Sequence, residues 1–127
     1  MVEAVALTQP WQVRFRAAGN EGVADTQKNG IGGTAGLRPH ELLEAALATC
    51  LTISGRMFLT ELGVDDEHLK VSVDLGREET VTRFRYQVEL GPAAEPHREA
   101  VLARLEASPV RRTLTKTLVF EAVTSGR

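Results

Sequence analysis

The stretch that most constrains this chain is PHELLEAALATCLTISGRMFLTELG, Pro39 to Gly63, which holds its only cysteine near the middle. Its ends carry stop and start signals. Proline suits the first helical position, where its missing N–H would have no partner anyway, and Gly63 after Leu62 supplies a residue able to close a helix in the left-handed conformation. Leu43, Ala46, Leu47, Cys50, Ser54, Met57 and Phe58 fall at three- and four-residue steps, while Leu42, Leu51, Ile53 and Leu59 widen the apolar stripe beyond one face. The pattern predicts one long, mostly buried helix that must be covered on more than one side. Ala45, Ala46, Ala48 and Gly55 are small enough for a second backbone to come close, either a sheet or a second copy of the helix.

The rest of the chain predicts strands around that helix. Val2 to Thr8 is read as a short strand. Trp11, Val13, Phe15 and Ala17 alternate with Gln12, Arg14 and Arg16, the two-residue period of a strand with one buried face. GNEG, Gly19 to Gly22, is read as a turn, Val23 to Lys28 as a weak strand, and Gly30 to Gly36 as a flexible lead into the helix. After Gly63, Val71, Val73 and Leu75 form one alternating set, and Phe84, Tyr86, Val88 and Leu90 another. GREET lies between them, so the pair reads as an antiparallel hairpin. Pro96 opens a second helix with Val101, Leu102 and Leu105 facing inward, which Ser108-Pro109 ends. Lys116 to Val123 is expected to be the last strand. The order predicts an α+β fold in a single domain over residues 1–127, with antiparallel sheet packed on helices.

Charge and composition exclude several function classes. A formal charge of −2 without a block of Lys or Arg argues against nucleic-acid or anionic-membrane partners. The first residues, MVEAVALTQPW, lack the positive start of a secretory signal, and a cytoplasmic location is expected. One cysteine excludes an internal disulfide and a cysteine-rich zinc site. HELLE, His40 to Glu44, has Glu44 where a zinc-protease helix needs its second histidine, and His68 and His97 sit on other elements. No metal and no cofactor is expected. The glycine loop lacks the Gly-Lys-Ser/Thr ending of a phosphate cradle.

Cys50 has no cationic residue among its helical neighbours at three and four residues, and it lies three turns from Pro39, beyond the reach of the helix dipole. If it is reactive, another element must activate it. Glu41, nine residues earlier, is roughly 13 Å away along one helix at about 1.5 Å per residue. The two cannot meet within one chain, so a shared site would need Glu41 from a second subunit. The other reading of Glu41 is electrostatic support of the helix N-terminus.

LRPHELLEAALATCLTIS resembles the central-helix signature of the OsmC/Ohr family, the osmotically inducible and organic-hydroperoxide-resistance proteins. SPVRRTL, Ser108 to Leu114, is similar to that family's second motif, Cys-Pro-Val-x-x-Thr-Leu. The resemblance implies an OsmC-like fold, an intertwined homodimer with sites at the subunit interface, and peroxidase chemistry on organic hydroperoxides. In that scheme Cys50 is the thiolate that attacks the peroxide, and an external thiol is the reductant. Three positions depart from it. Ser108 stands at the resolving cysteine and cannot form a disulfide, which leaves a one-cysteine cycle. Asn20 stands in the turn where hydroperoxidases place an activating arginine. His40 follows the proline where they place glutamate, although Glu41 matches relatives with glutamate one position later. Arg38, Arg111 and Arg112 are the candidate replacements for the activating cation. Three readings result: a one-cysteine thiol peroxidase in oxidative-stress defence, an inactive dimer binding a small apolar or anionic ligand at the interface, and a dimeric scaffold.

Overall fold

The computed structural model describes residues 1–123. They form strands β1 (Glu3–Ala6), β2 (Val13–Ala17), β3 (Asn20–Ala24), β4 (Gln27–Lys28) and β5 (Ile31–Gly32), helix α1 (Pro39–Glu61), strands β6 (Lys70–Arg77) and β7 (Thr82–Glu89), and helices α2 (Arg98–Leu105) and α3 (Pro109–Thr115). The architecture is α+β, as the order of elements predicts. By contacts the chain gathers into two compact units, Met1–Ala46 with Val73–Arg85, and Leu47–Ser72 with the chain from Tyr86 onward. Helix α1 and the β6–β7 pair contribute residues to both.

In the first unit, β1, β2 and β3 form an antiparallel sheet in that order, with Phe15 opposite Ala4 on one side and Gly22 on the other. Val13, Phe15 and Ala17 are half-buried while Arg14 and Arg16 are exposed, the predicted alternation. Trp11 falls outside the strand, with φ of 70°. The β2–β3 turn is Ala18-Gly19, both at positive φ, as a two-residue hairpin requires for its twist to match the strands. Asn20, Glu21 and Gly22 therefore belong to β3, and the predicted GNEG turn sits one to three residues late. Asn29-Gly30 makes a second such turn between β4 and β5, so part of the expected flexible glycine lead is a small hairpin. Buried Asp25 pins the rest of that lead, its carboxylate accepting the N–H of Thr26 at 2.8 Å and of Ala35 at 3.0 Å.

In the second unit, the core forms along one stripe of α1. Leu47, Leu51, Gly55 and Leu59 are buried at four-residue steps, and a Cβ on Gly55 would touch Leu69 and Leu105. Val101 and Leu105 of α2, Val88 and Ala94 complete the buried apolar set. Leu102, expected inward, is exposed. The helix ends as its sequence predicts: Gly63 has φ of 76°, its N–H bonds the Thr60 carbonyl at 3.0 Å, and the Val64 N–H bonds the Leu59 carbonyl at 2.8 Å. This double bond set satisfies two carbonyls that the helix would leave orphaned.

Two expectations are corrected. Helix α1 is not mostly buried in the single chain: Ile53 and Met57 are 54% and 64% exposed, because no element among the described residues of the second unit covers that face. By length and composition α1 could also cross a membrane, a test that core helices of soluble folds pass as well. Lys116 to Val123 is not a strand. Alternating apolar residues there supply a face but no ladder partner, and Phe120 is left 91% exposed. Conversely, Ser108-Pro109 stops α2 and also starts α3, which the sequence reading missed.

A buried carboxylate locks the loop after α1. Asp66 accepts the Gly91 N–H at 2.9 Å and the His68 N–H at 2.8 Å. These bonds, the Gly91 amide foremost, hold its pKa below the usual aspartate value against the opposing effect of burial. Because the folded pKa is lowered, the stabilisation is present above the ordinary aspartate pKa and lost as pH falls through the folded one. Asp66→Asn is expected to cost about 1–3 kcal/mol at neutral pH. Denaturant titrations should find that difference closing in acid, where Asp66 itself becomes neutral.

Candidate functional site

The site is built from the middle of α1 and the first turn of α3. Four-residue spacing from buried Leu47 and Leu51 fixes the rotation of α1, and this turns Cys50 to the edge of the core, where it is partly buried. Opposite it, Ser108 adopts extended backbone angles of φ −62° and ψ 140°, and Pro109 takes the first helical position. The chain thus enters α3 with free amides at its start. The N–H of Val110 donates to Cys50 Sγ at an N···S distance of 3.5 Å. The polar contact that α1 itself does not supply is a backbone amide from 60 residues further along the chain.

Two of the three arginines named from sequence are engaged elsewhere in the single chain. The Arg38 N–H donates to Glu41 Oε1 at 2.9 Å, and its Nε lies 3.3 Å from the same oxygen. With Leu42 N–H bonding the Arg38 carbonyl at 3.1 Å, Arg38 is the cap of α1, and Glu41 reaches back to it as the second half of a capping box. The Arg38 amide, and after it the guanidinium, holds the Glu41 pKa below the usual glutamate value. Arg111 Nη1 donates to the Glu106 carbonyl at 2.9 Å, and Arg112 is exposed on α3. Ser108 is 2% exposed, and its hydroxyl has no hydrogen-bond partner among the described residues. Sequence reasoning missed the Val110 amide because a backbone donor leaves no mark in residue type. The available signal was Ser-Pro itself, a cap followed by a first-position proline.

Surface concavities lie within each of the two units. A groove of about 520 Å³ is lined by Ile53, Met57 and Leu69 beside Arg56, Asp66 and Glu67. A second, of about 420 Å³, surrounds the α1 N-terminus with Lys28, Arg38, Arg77, Glu41, Glu44 and Asp74. Its wall is fixed where Glu44 Oε2 accepts the Leu75 N–H at 2.7 Å.

The model of the OsmC-like protein family matches residues 32–122, which takes in α1 with Cys50 and the whole SPVRRTL segment. The chain belongs to the OsmC-like family. No curated protein matches it by sequence. Solved structures agree on the fold. This OsmC-like chain is similar to a protein from Psychrobacter arcticus 273-4 described as an osmotic stress induced and detoxification response protein, with 13% identity over 88% of this chain and 85% of that one and a TM-score of 0.74. It is also similar to the OsmC-like protein of Mycoplasma pneumoniae, with 14% identity, coverage of 90% and 85%, and a TM-score of 0.68. An organic hydroperoxide resistance protein OsmC from Legionella pneumophila aligns at 13% identity over 91% and 88% of the two chains, with a TM-score of 0.63. The OsmC-like fold expected from the two motifs is thereby established.

Proposed function

We propose that this OsmC-like protein is a cytoplasmic, homodimeric one-cysteine peroxidase that reduces organic hydroperoxides with an external thiol. The observation that carries the reading is the Val110 amide directed at Cys50 Sγ, a donor supplied by the segment similar to the second family motif. The thiolate attacks the terminal peroxide oxygen. An S–O bond forms, the O–O bond breaks, and the alkoxide leaves as alcohol after taking a proton. A thiol then condenses with the sulfenic acid, releasing water, and a second thiol frees Cys50 as the reductant becomes a disulfide. In the homodimer, the Arg38–Glu41 pair of the second copy is assigned to the site, since Glu41 and Cys50 are separated by about two and a half turns of one helix. Exposed Ile53 and Met57 on α1 support a second copy over that face.

The apolar groove beside Ile53 and Met57 favours the other reading, an inactive dimer that holds a small apolar or anionic ligand at the subunit interface. Intact mass after brief exposure to cumene hydroperoxide at neutral pH, with and without a sulfenic-acid trap and a dithiol, separates the two. Peroxidase chemistry gives a rapid trapped adduct on Cys50 that dithiol prevents. An unmodified thiol rejects it in favour of ligand binding.

A further inference from the structure

We propose that Ser108 is a positioning residue for the oxidised state, its hydroxyl donating a hydrogen bond to the oxygen that a hydroperoxide leaves on Cys50. The proposal rests on the peroxidase reading and deepens it. Among the described residues, Ser108 Oγ is the buried side-chain polar atom left without a partner, and such atoms are rare because they forfeit water without recompense. Its surroundings explain why it is free. Ser108 has the backbone of a helix cap, and a cap hydroxyl ordinarily accepts the N–H of the second or third helical residue. The second residue is Val110, whose N–H goes instead to Cys50 Sγ at 3.5 Å. Sulfur from α1 has taken the place of the cap, and no side-chain cap bond forms. The hydroxyl thus sits two residues before the amide that the sulfur engages, and it bonds neither.

Oxidation changes what the sulfur offers. The thiolate gives two electrons to the terminal oxygen of the hydroperoxide, the S–O bond forms as the O–O bond breaks, and the alkoxide departs and is protonated to alcohol. The sulfenic oxygen projects beyond the sulfur as a good acceptor, which Ser108 can satisfy without losing its own proton. The chain has no second cysteine to consume this species. The sulfenic acid must wait for an external thiol, and a second hydroperoxide would drive it to the sulfinic acid in the meantime. A hydroxyl that holds the oxygen prolongs that interval.

The test compares full-length native protein, Ser108→Ala and Ser108→Thr. Each is oxidised with cumene hydroperoxide in the absence of thiol, a dimedone-type trap is added after increasing delays, and sulfenic and sulfinic forms are read by intact mass. Formation of the sulfenic acid should be nearly unchanged in Ser108→Ala, and its decay about three to ten times faster, the scale of one hydrogen bond. Ser108→Thr, which keeps the hydroxyl, should restore the native lifetime. The reduced Ser108→Ala protein should melt no lower than native, since the hydroxyl it lost had no partner. Equal decay in native protein and Ser108→Ala, or failure of threonine to restore it, overturns the proposal alone. Absence of any adduct in native protein overturns the peroxidase reading, and this inference with it.

Discussion

Cys50→Ser is expected to abolish thiol-dependent turnover of cumene hydroperoxide, lowering it by roughly three orders of magnitude or more, the scale seen when an enzyme loses a covalent nucleophile. The substitution removes the nucleophile and little else. Cys50 lies at the edge of the core, beside fully buried Leu51, and its one long-range bond among the described residues is the Val110 N–H. A serine oxygen can accept that amide, so thermal midpoint and far-UV circular dichroism should stay close to native. Loss of activity would then report chemistry and not unfolding. Ser108→Ala supplies the contrast, because steady-state turnover with abundant reductant should change little while only the lifetime of the oxidised form responds. Turnover that survives Cys50→Ser at the native rate would end the peroxidase reading, and the groove beside Ile53 and Met57 would become the place to look for function.

What could be foreseen from residue types divides along a physical line. Features fixed by local chemistry were legible. Pro39 and Gly63 bound α1 because one needs no N–H and the other tolerates positive φ, and the observed helix spans Pro39–Glu61 with Gly63 closing it. The β6–β7 pair follows from a period of two on both sides of a short turn. Features that depend on a distant partner were not. Leu118 and Phe120 alternate like strand residues, but a ladder needs a second strand, and the described chain provides none there. The width of the apolar stripe on α1 predicts cover on more than one side, yet Ile53 and Met57 stay exposed in the single chain, because where cover comes from is not written in the helix. The site itself divides in the same way. Cys50 and SPVRRTL could be named from the family resemblance, whereas the contact between them runs through an amide that any residue but proline would carry. The capping partnership of Arg38 and Glu41 is intermediate: three-residue spacing at a helix start is a readable signal, yet the family resemblance points that arginine toward a thiol, and in the structure it holds a carboxylate.

Placing aspartate at both Ile53 and Met57 is expected to convert the proposed homodimer to monomer without unfolding the chain. Each residue is apolar, on the helix that holds Cys50, and more than half exposed, with side chains that add little to the core of the second unit. In a single chain the two charges would remain in water at small cost. Covered by a second copy they would be desolvated without partners, which costs several kcal/mol and should weaken association about a hundredfold or more. Leu51→Ala is the opposing control. Its side chain is fully buried, so truncation should cost about 2–5 kcal/mol of fold stability. Sedimentation velocity across micromolar concentrations reads assembly, and thermal melting reads the fold. Native protein that sediments as a monomer throughout would overturn the homodimer. A double variant that remains dimeric would move the interface to another face and leave α1 covered by some other occupant. Monomeric, folded double variant has one further consequence under the proposed function: with Arg38 and Glu41 of the second copy removed from Cys50, hydroperoxide turnover should fall together with assembly, although the Val110 amide stays in place.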